Sequence, residues 1–92
     1  MVRLPGFSKR APRIELRRKA VLVNADGTES DVIVLDISSG GFRVEIADDL
    51  KIGEFIRLRV EHSEEFHGQI RWVLGGEAGG VFLEPVDYAA LK

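Results

Sequence analysis

Apolar and polar residues alternate with a period of two along much of this chain, the repeat of a strand with one buried face. Phe55 to Val60 is the cleanest case, with Ile56, Leu58 and Val60 on one side and Arg57 and Arg59 on the other. Phe42, Val44 and Ile46 oppose Arg43 and Glu45 in the same way. Val32 to Ile37 is almost continuously apolar and reads as a largely buried strand. Ala20 to Val23 is a short strand, followed by Asn24-Ala25-Asp26-Gly27, in which Asp-Gly is a strong hairpin signal. Phe66 to Leu74 is a long strand with an expected bend at Gly68, since glycine inside a strand often marks a bulge. Residues 75–80, GGEAGG, read as a flexible hairpin loop before a last strand at Val81 to Leu83. Residues Asp87 to Lys92 hold at most one short helical turn.

Six short strands with no long amphipathic helix predict an all-β fold. A small six-stranded antiparallel β-barrel is the expected architecture, because closure removes the sticky edges that short sheets expose. At 92 residues the chain is one domain with a modest core. The absence of cysteine excludes a disulfide framework and thiolate metal sites, and agrees with a reducing, cytoplasmic setting. No apolar run approaches a membrane span, and MVRLPGFSKR lacks the apolar stretch of a secretory signal.

Charge divides the chain unequally. Residues 1–20 carry seven basic residues against one acid, Glu15, a net of +6, whereas the remainder carries −8. Pro5, Gly6 and Pro12 interrupt regular structure in the basic part. The pattern predicts a flexible basic arm over residues 1–17 on an acidic barrel over residues 18–92. A protein that coats nucleic acid usually spreads positive charge over its body. Here the charge suits a compact anion or an anionic patch on a partner, and nucleic acid is not expected.

Two stretches carry candidate chemistry. The arm contains Arg13-Ile14-Glu15-Leu16-Arg17, an RxxxR spacing, and just ahead of it Lys9 and Arg10 precede Arg13 in a KxxxR spacing. Arginine suits phosphate because its planar fork bonds two oxygens at once. A solvated tail is the plain alternative for such a run. The second stretch is Asp36-Ile37-Ser38-Ser39-Gly40-Gly41 between two strands. Asp36 can accept from a base edge, and Ser38 can bond a phosphate or the turn. Gly40 and Gly41 let backbone N–H groups approach an anion. An ordinary Asx-type turn would use only part of this equipment.

Taken together, RxxxR in a basic arm, D-x-S-x-x-G at a strand-to-strand turn about twenty residues later, and an all-β remainder resemble the PilZ domain family. The matching residues are Arg13 and Arg17, or Lys9 and Arg13, followed by Asp36, Ser38 and Gly41. Trp72 after Gly68-Gln69-Ile70-Arg71, and Gly80-Val81-Phe82, are similar to the family's later strands, and Trp72 could line the site. The resemblance implies a PilZ-like split barrel that binds cyclic di-GMP, its arginines clasping phosphates and guanines while the D-x-S-x-x-G turn reads a guanine. It further implies a receptor or adaptor, not an enzyme, that needs no cofactor and signals through a separate effector protein. The alternative within the family is a protein-interaction adaptor that binds no nucleotide, which the register with lysine at position 9 makes possible.

Other motifs fail on spacing. His62 and His67 lie five apart with no third ligand, so no metal site is expected. Ser38 and Ser39 lack a G-x-S-x-G elbow, and GGEAGG lacks the Lys-Ser/Thr of a P-loop.

Overall fold

The structure is a computed structural model in which residues 14–61 and 65–84 are described. They form six strands: β1 (Ile14–Val23), β2 (Glu29–Ile37), β3 (Gly41–Glu45), β4 (Phe55–Val60), β5 (Glu65–Leu74) and β6 (Glu77–Phe82). Every pairing is antiparallel, and the strands close into a barrel in the order β1-β2-β3-β6-β5-β4. The expected six-stranded antiparallel barrel is the fold observed.

The alternation read from the sequence fills the interior. Ile56, Leu58 and Val60 of β4 are buried, while Phe55, Arg57 and Arg59 face water. Leu22, Val34, Ile37, Phe42, Val44, Leu58 and Ile70 are wholly enclosed. Burying each such side chain contributes about 1.5–3 kcal/mol. Phe42 packs against Phe82 with ring centroids 5.2 Å apart, and Phe66 also meets Phe82, at 5.8 Å.

Three features differ from expectation. β1 begins at Ile14 rather than Ala20, so residues 14–17, placed in the arm by their charge, belong to the sheet. Leu16 anchors this extension by packing against the core. Only Gly75 and Gly76 form the β5–β6 turn, with φ of 60° and 80°, both in the left-handed region that a two-residue hairpin of type I′ requires. Glu77 to Gly80 are strand residues of β6. Gly68 marks no bulge. It pairs in regular register with Ile56 and Phe82, and a Cβ there would lie 2.8 Å from Cε2 of Phe42. Its missing side chain makes room for that ring. The β1–β2 turn is as expected: Gly27 has φ 90°, and the Thr28 N–H donates to Asp26 Oδ1 at 2.9 Å. Residues 87–92, the possible helical turn, lie outside the described residues.

Candidate functional site

One outer wall of the barrel departs from regular pairing. Register shifts interrupt β1·β2 between Glu15 and Arg18, β2·β3 between Val34 and Asp36, and β5·β6 between Ile70 and Trp72. Bulges bend a strand locally and re-aim the side chains beside it, and they concentrate next to functional sites. These three flank a single lateral row. Glu15 pairs with Asp36, Asp36 with Arg43, Arg43 with Gly79, and Gly79 with Trp72. Directly paired residues share a face, so the row runs across β1, β2, β3, β6 and β5 on one side of the sheet.

Asp36 and Arg43 form the centre of this row. Asp36 is only 6% exposed. The Arg43 Nε–H donates to Asp36 Oδ2 at 2.7 Å, and its NH1 donates to Glu77 Oε1 at 2.8 Å. The hydrogen bond it donates to Asp36, reinforced by the one it donates to Glu77, holds the Arg43 guanidinium above its ordinary pKa. Burying a carboxylate is costly unless it is paired and hydrogen-bonded, and Arg43 meets that need in part. Glu77 lies two residues before Gly79 on β6, and its diagonal position lets it seat the far end of the fork.

Trp72 closes the row. It is 39% exposed, and its indole lies over Gly79, where any Cβ would collide with the Trp72 Nε1 edge. Gly79 is therefore a seat for Trp72, which lies two strands from Arg43 across β6.

The D-x-S-x-x-G turn is built differently from expectation. Ser38 is buried, its Oγ accepts from the Gly41 N–H at 3.2 Å, and its own N–H donates to the Gly41 carbonyl at 2.8 Å. Ser38 thus staples the turn, and the Gly41 N–H is committed inside it. Neither Gly40 nor Gly41 has positive φ. Gly41 is needed for another reason, because a Cβ there would stand 2.7 Å from the Gly80 carbonyl oxygen of β6. Gly40 is exposed, has open space beside it, and its carbonyl accepts from the Phe82 N–H at 2.9 Å.

Arg17 occupies the β1 bulge with φ 52°, the one non-glycine residue in the left-handed region among the described residues. Such a conformation costs about 1–3 kcal/mol and clusters at functional sites. Arg17 is exposed, whereas Arg18 opposite the buried Val34 sends NH1 toward the Glu61 carbonyl at 3.4 Å. The bulge therefore gives neighbouring arginines separate directions. Lys9, Arg10 and Arg13 lie outside the described residues.

Beside the row, the Lys19–Ile33–Glu45 register forms part of a groove of about 670 Å³. Its Asp31 and Glu45 oppose an anion.

Sequence reasoning singled out Asp36, Ser38, Gly41, Arg17 and Trp72 and did not single out Arg43, Glu77 or Gly79. Arg43 carried a faint signal as the outward cation nearest the D-x-S-x-x-G turn. Glu77 and Gly79 carried none, because a glycine-rich run reads as a loop.

Among the described residues no group of three or more His, Asp or Glu could hold a metal ion, and no helix is long and apolar enough to cross a membrane. No curated protein matches the chain. The family model for the PilZ domain matches residues 8–90. The match takes in both motifs and all six strands, so the chain belongs to the PilZ domain family, whose members are generally cyclic di-GMP receptor domains and act as binding or adaptor modules rather than enzymes.

Proposed function

We propose that this chain is a cyclic di-GMP receptor that signals through contact with a separate partner protein in the cytoplasm. Residues Lys9, Arg10 and Arg13, with Arg17 at the bulge, bring guanidinium and ammonium groups to the ligand phosphates. Asp36 accepts from a guanine edge, and Trp72 offers a face for stacking. Ligand phosphates recruit the basic arm onto the outer wall, and the ordered arm changes the surface offered to the partner.

The observation that carries this reading is the row from Glu15 to Trp72, where a buried carboxylate, a fixed cation and an indole share one face flanked by three bulges. A flat guanine offers two adjacent donors and a π-face, which suit a carboxylate and an indole respectively.

Calorimetric titration with cyclic di-GMP, with GTP and cyclic GMP as controls, tests the proposal. Saturable binding of the cyclic dinucleotide alone is the expected result. Arg13→Ala removes a charge-assisted phosphate contact and should weaken binding roughly ten- to a hundredfold with an unchanged fold. Comparing Lys9→Ala with Arg17→Ala identifies the working register by the larger loss. A second reading, a partner-binding adaptor without nucleotide, is favoured by the present engagement of Asp36 with Arg43. Absence of binding to all three nucleotides selects it.

A further inference from the structure

We infer that Arg43, anchored by Glu77, is the positioning residue that sets the base specificity of this site. The inference rests on the cyclic di-GMP reading above and adds residues that neither motif contains.

A carboxylate attached through a single-bonded side chain can rotate, and a rotating carboxylate discriminates poorly between bases. Guanine presents two neighbouring donors, N1–H and N2–H, whereas adenine offers one amino group beside an acceptor. Telling them apart requires a carboxylate plane held in one orientation. Asp36 has that restraint. Its Oδ2 receives the Arg43 Nε–H at 2.7 Å. Arg43 is itself held at its other end by Glu77 at 2.8 Å, from a strand 34 residues away in sequence. A guanidinium bonded at two ends is planar and has little freedom left to lose. The geometry is a bracket: Glu77 fixes Arg43, and Arg43 fixes Asp36. Arg57 and Arg59 show what an arginine does elsewhere on this barrel. Among the described residues each pairs with a single carboxylate, Arg57 with Glu65 at 3.6 Å and Arg59 with Glu29 at 2.9 Å. Only Arg43, among the described arginines, bridges two carboxylates.

The bracket separates affinity from selectivity. Phosphate contacts position a nucleotide without reading its base, and base-edge contacts supply discrimination. Loosening Asp36 should therefore reduce guanine affinity while leaving the phosphate contribution, so that the preference over an adenine analogue collapses.

The experiment measures the affinities of cyclic di-GMP and cyclic di-AMP for the full chain, its Arg43→Ala and Glu77→Gln variants, and the double variant, each checked by thermal melting. Arg43→Ala should lower the guanine-to-adenine preference roughly ten- to a hundredfold, the discrimination that a good bidentate base contact provides. Glu77→Gln should lower it in the same direction by less, and adding it to Arg43→Ala should have no further effect, because Glu77 acts through Arg43. Arg43→Lys keeps the charge, loses the fork, and should recover little of the preference. A preference unchanged in Arg43→Ala, or an equal loss for both nucleotides, overturns the inference while leaving the receptor reading in place. A wild-type chain that binds neither nucleotide overturns both together.

Discussion

β4 and the bulged wall are made from the same kinds of residue and end as different structures. In β4 the alternation is unbroken, its register with β1 and β5 never slips, and among the described residues its outward arginines each pair with one acid, Arg57 with Glu65 at 3.6 Å and Arg59 with Glu29 at 2.9 Å. Across β1, β2 and β5, each strand carries an irregularity at the level of Asp36, Arg43 and Trp72. There an outward arginine is gripped at both ends, and a carboxylate facing the same way is almost wholly enclosed. Regular pairing suffices to close a barrel. Bulges and the left-handed Arg17 are additions that closing a barrel does not call for, and they are why the proposed site is put on this wall.

The contrast can be broken at its tightest point first. Gly41→Val should destabilise the fold by about 3 kcal/mol or more, because even a Cβ meets the Gly80 carbonyl oxygen and a branched side chain adds to the overpacking. A strong drop in melting temperature is the expected measurement, and a melt like wild type would show that β3 and β6 can separate without penalty.

Asp36→Ala should cost about 1–3 kcal/mol, since it strips Arg43 of its buried partner, and should abolish guanine preference as well. Denaturant unfolding beside nucleotide titration checks both. Loss of stability with normal binding would reduce Asp36 to a structural residue.

Arg17→Gly should move the two properties in opposite directions. Relief of the left-handed conformation at φ 52° should stabilise by about 1 kcal/mol, while the lost guanidinium weakens ligand binding. A variant that melts lower than wild type would mean that the bulge is held by the arginine side chain.

On the regular wall, Arg57→Ala and Arg59→Ala should stay within about 0.5 kcal/mol of wild type and leave binding unchanged, as exposed ion pairs do. An effect as large as that of Arg43→Ala would erase the distinction between the walls.

The smallest effect is a pH dependence in the β1–β2 turn, away from both. The Thr28 backbone N–H holds the Asp26 carboxyl below its ordinary value of 3.8. A depressed carboxyl stabilises above its unfolded pKa and loses that contribution as pH falls through its folded value. Asp26→Ala should therefore melt slightly lower than wild type near neutrality, and the gap should close in acid below the ordinary carboxylate range.

Local physics made much of this molecule legible in advance. A period of two requires only neighbouring residues, so β4, β3 and the buried face of β2 could be read directly from their own side chains. The Asp26-Gly27 turn was legible because positive φ at Gly27 is a property of glycine and its immediate neighbours. The D-x-S-x-x-G stretch could be recognised as unusual for the same reason, whereas Trp72 was singled out only through the family resemblance. What the tertiary structure alone decided is non-local. Gly79 and Gly80 look like loop residues until Trp72, Gln69 and Phe42 arrive beside them from other strands. Leu16 draws residues 14–17 into β1 only because a core exists for it to join. Arg43 is one more outward cation in the sequence, and becomes a bracket only when barrel closure brings β6 and Glu77 alongside. Register and bulges are set by the sum of contacts across several strands, and no single segment contains that sum.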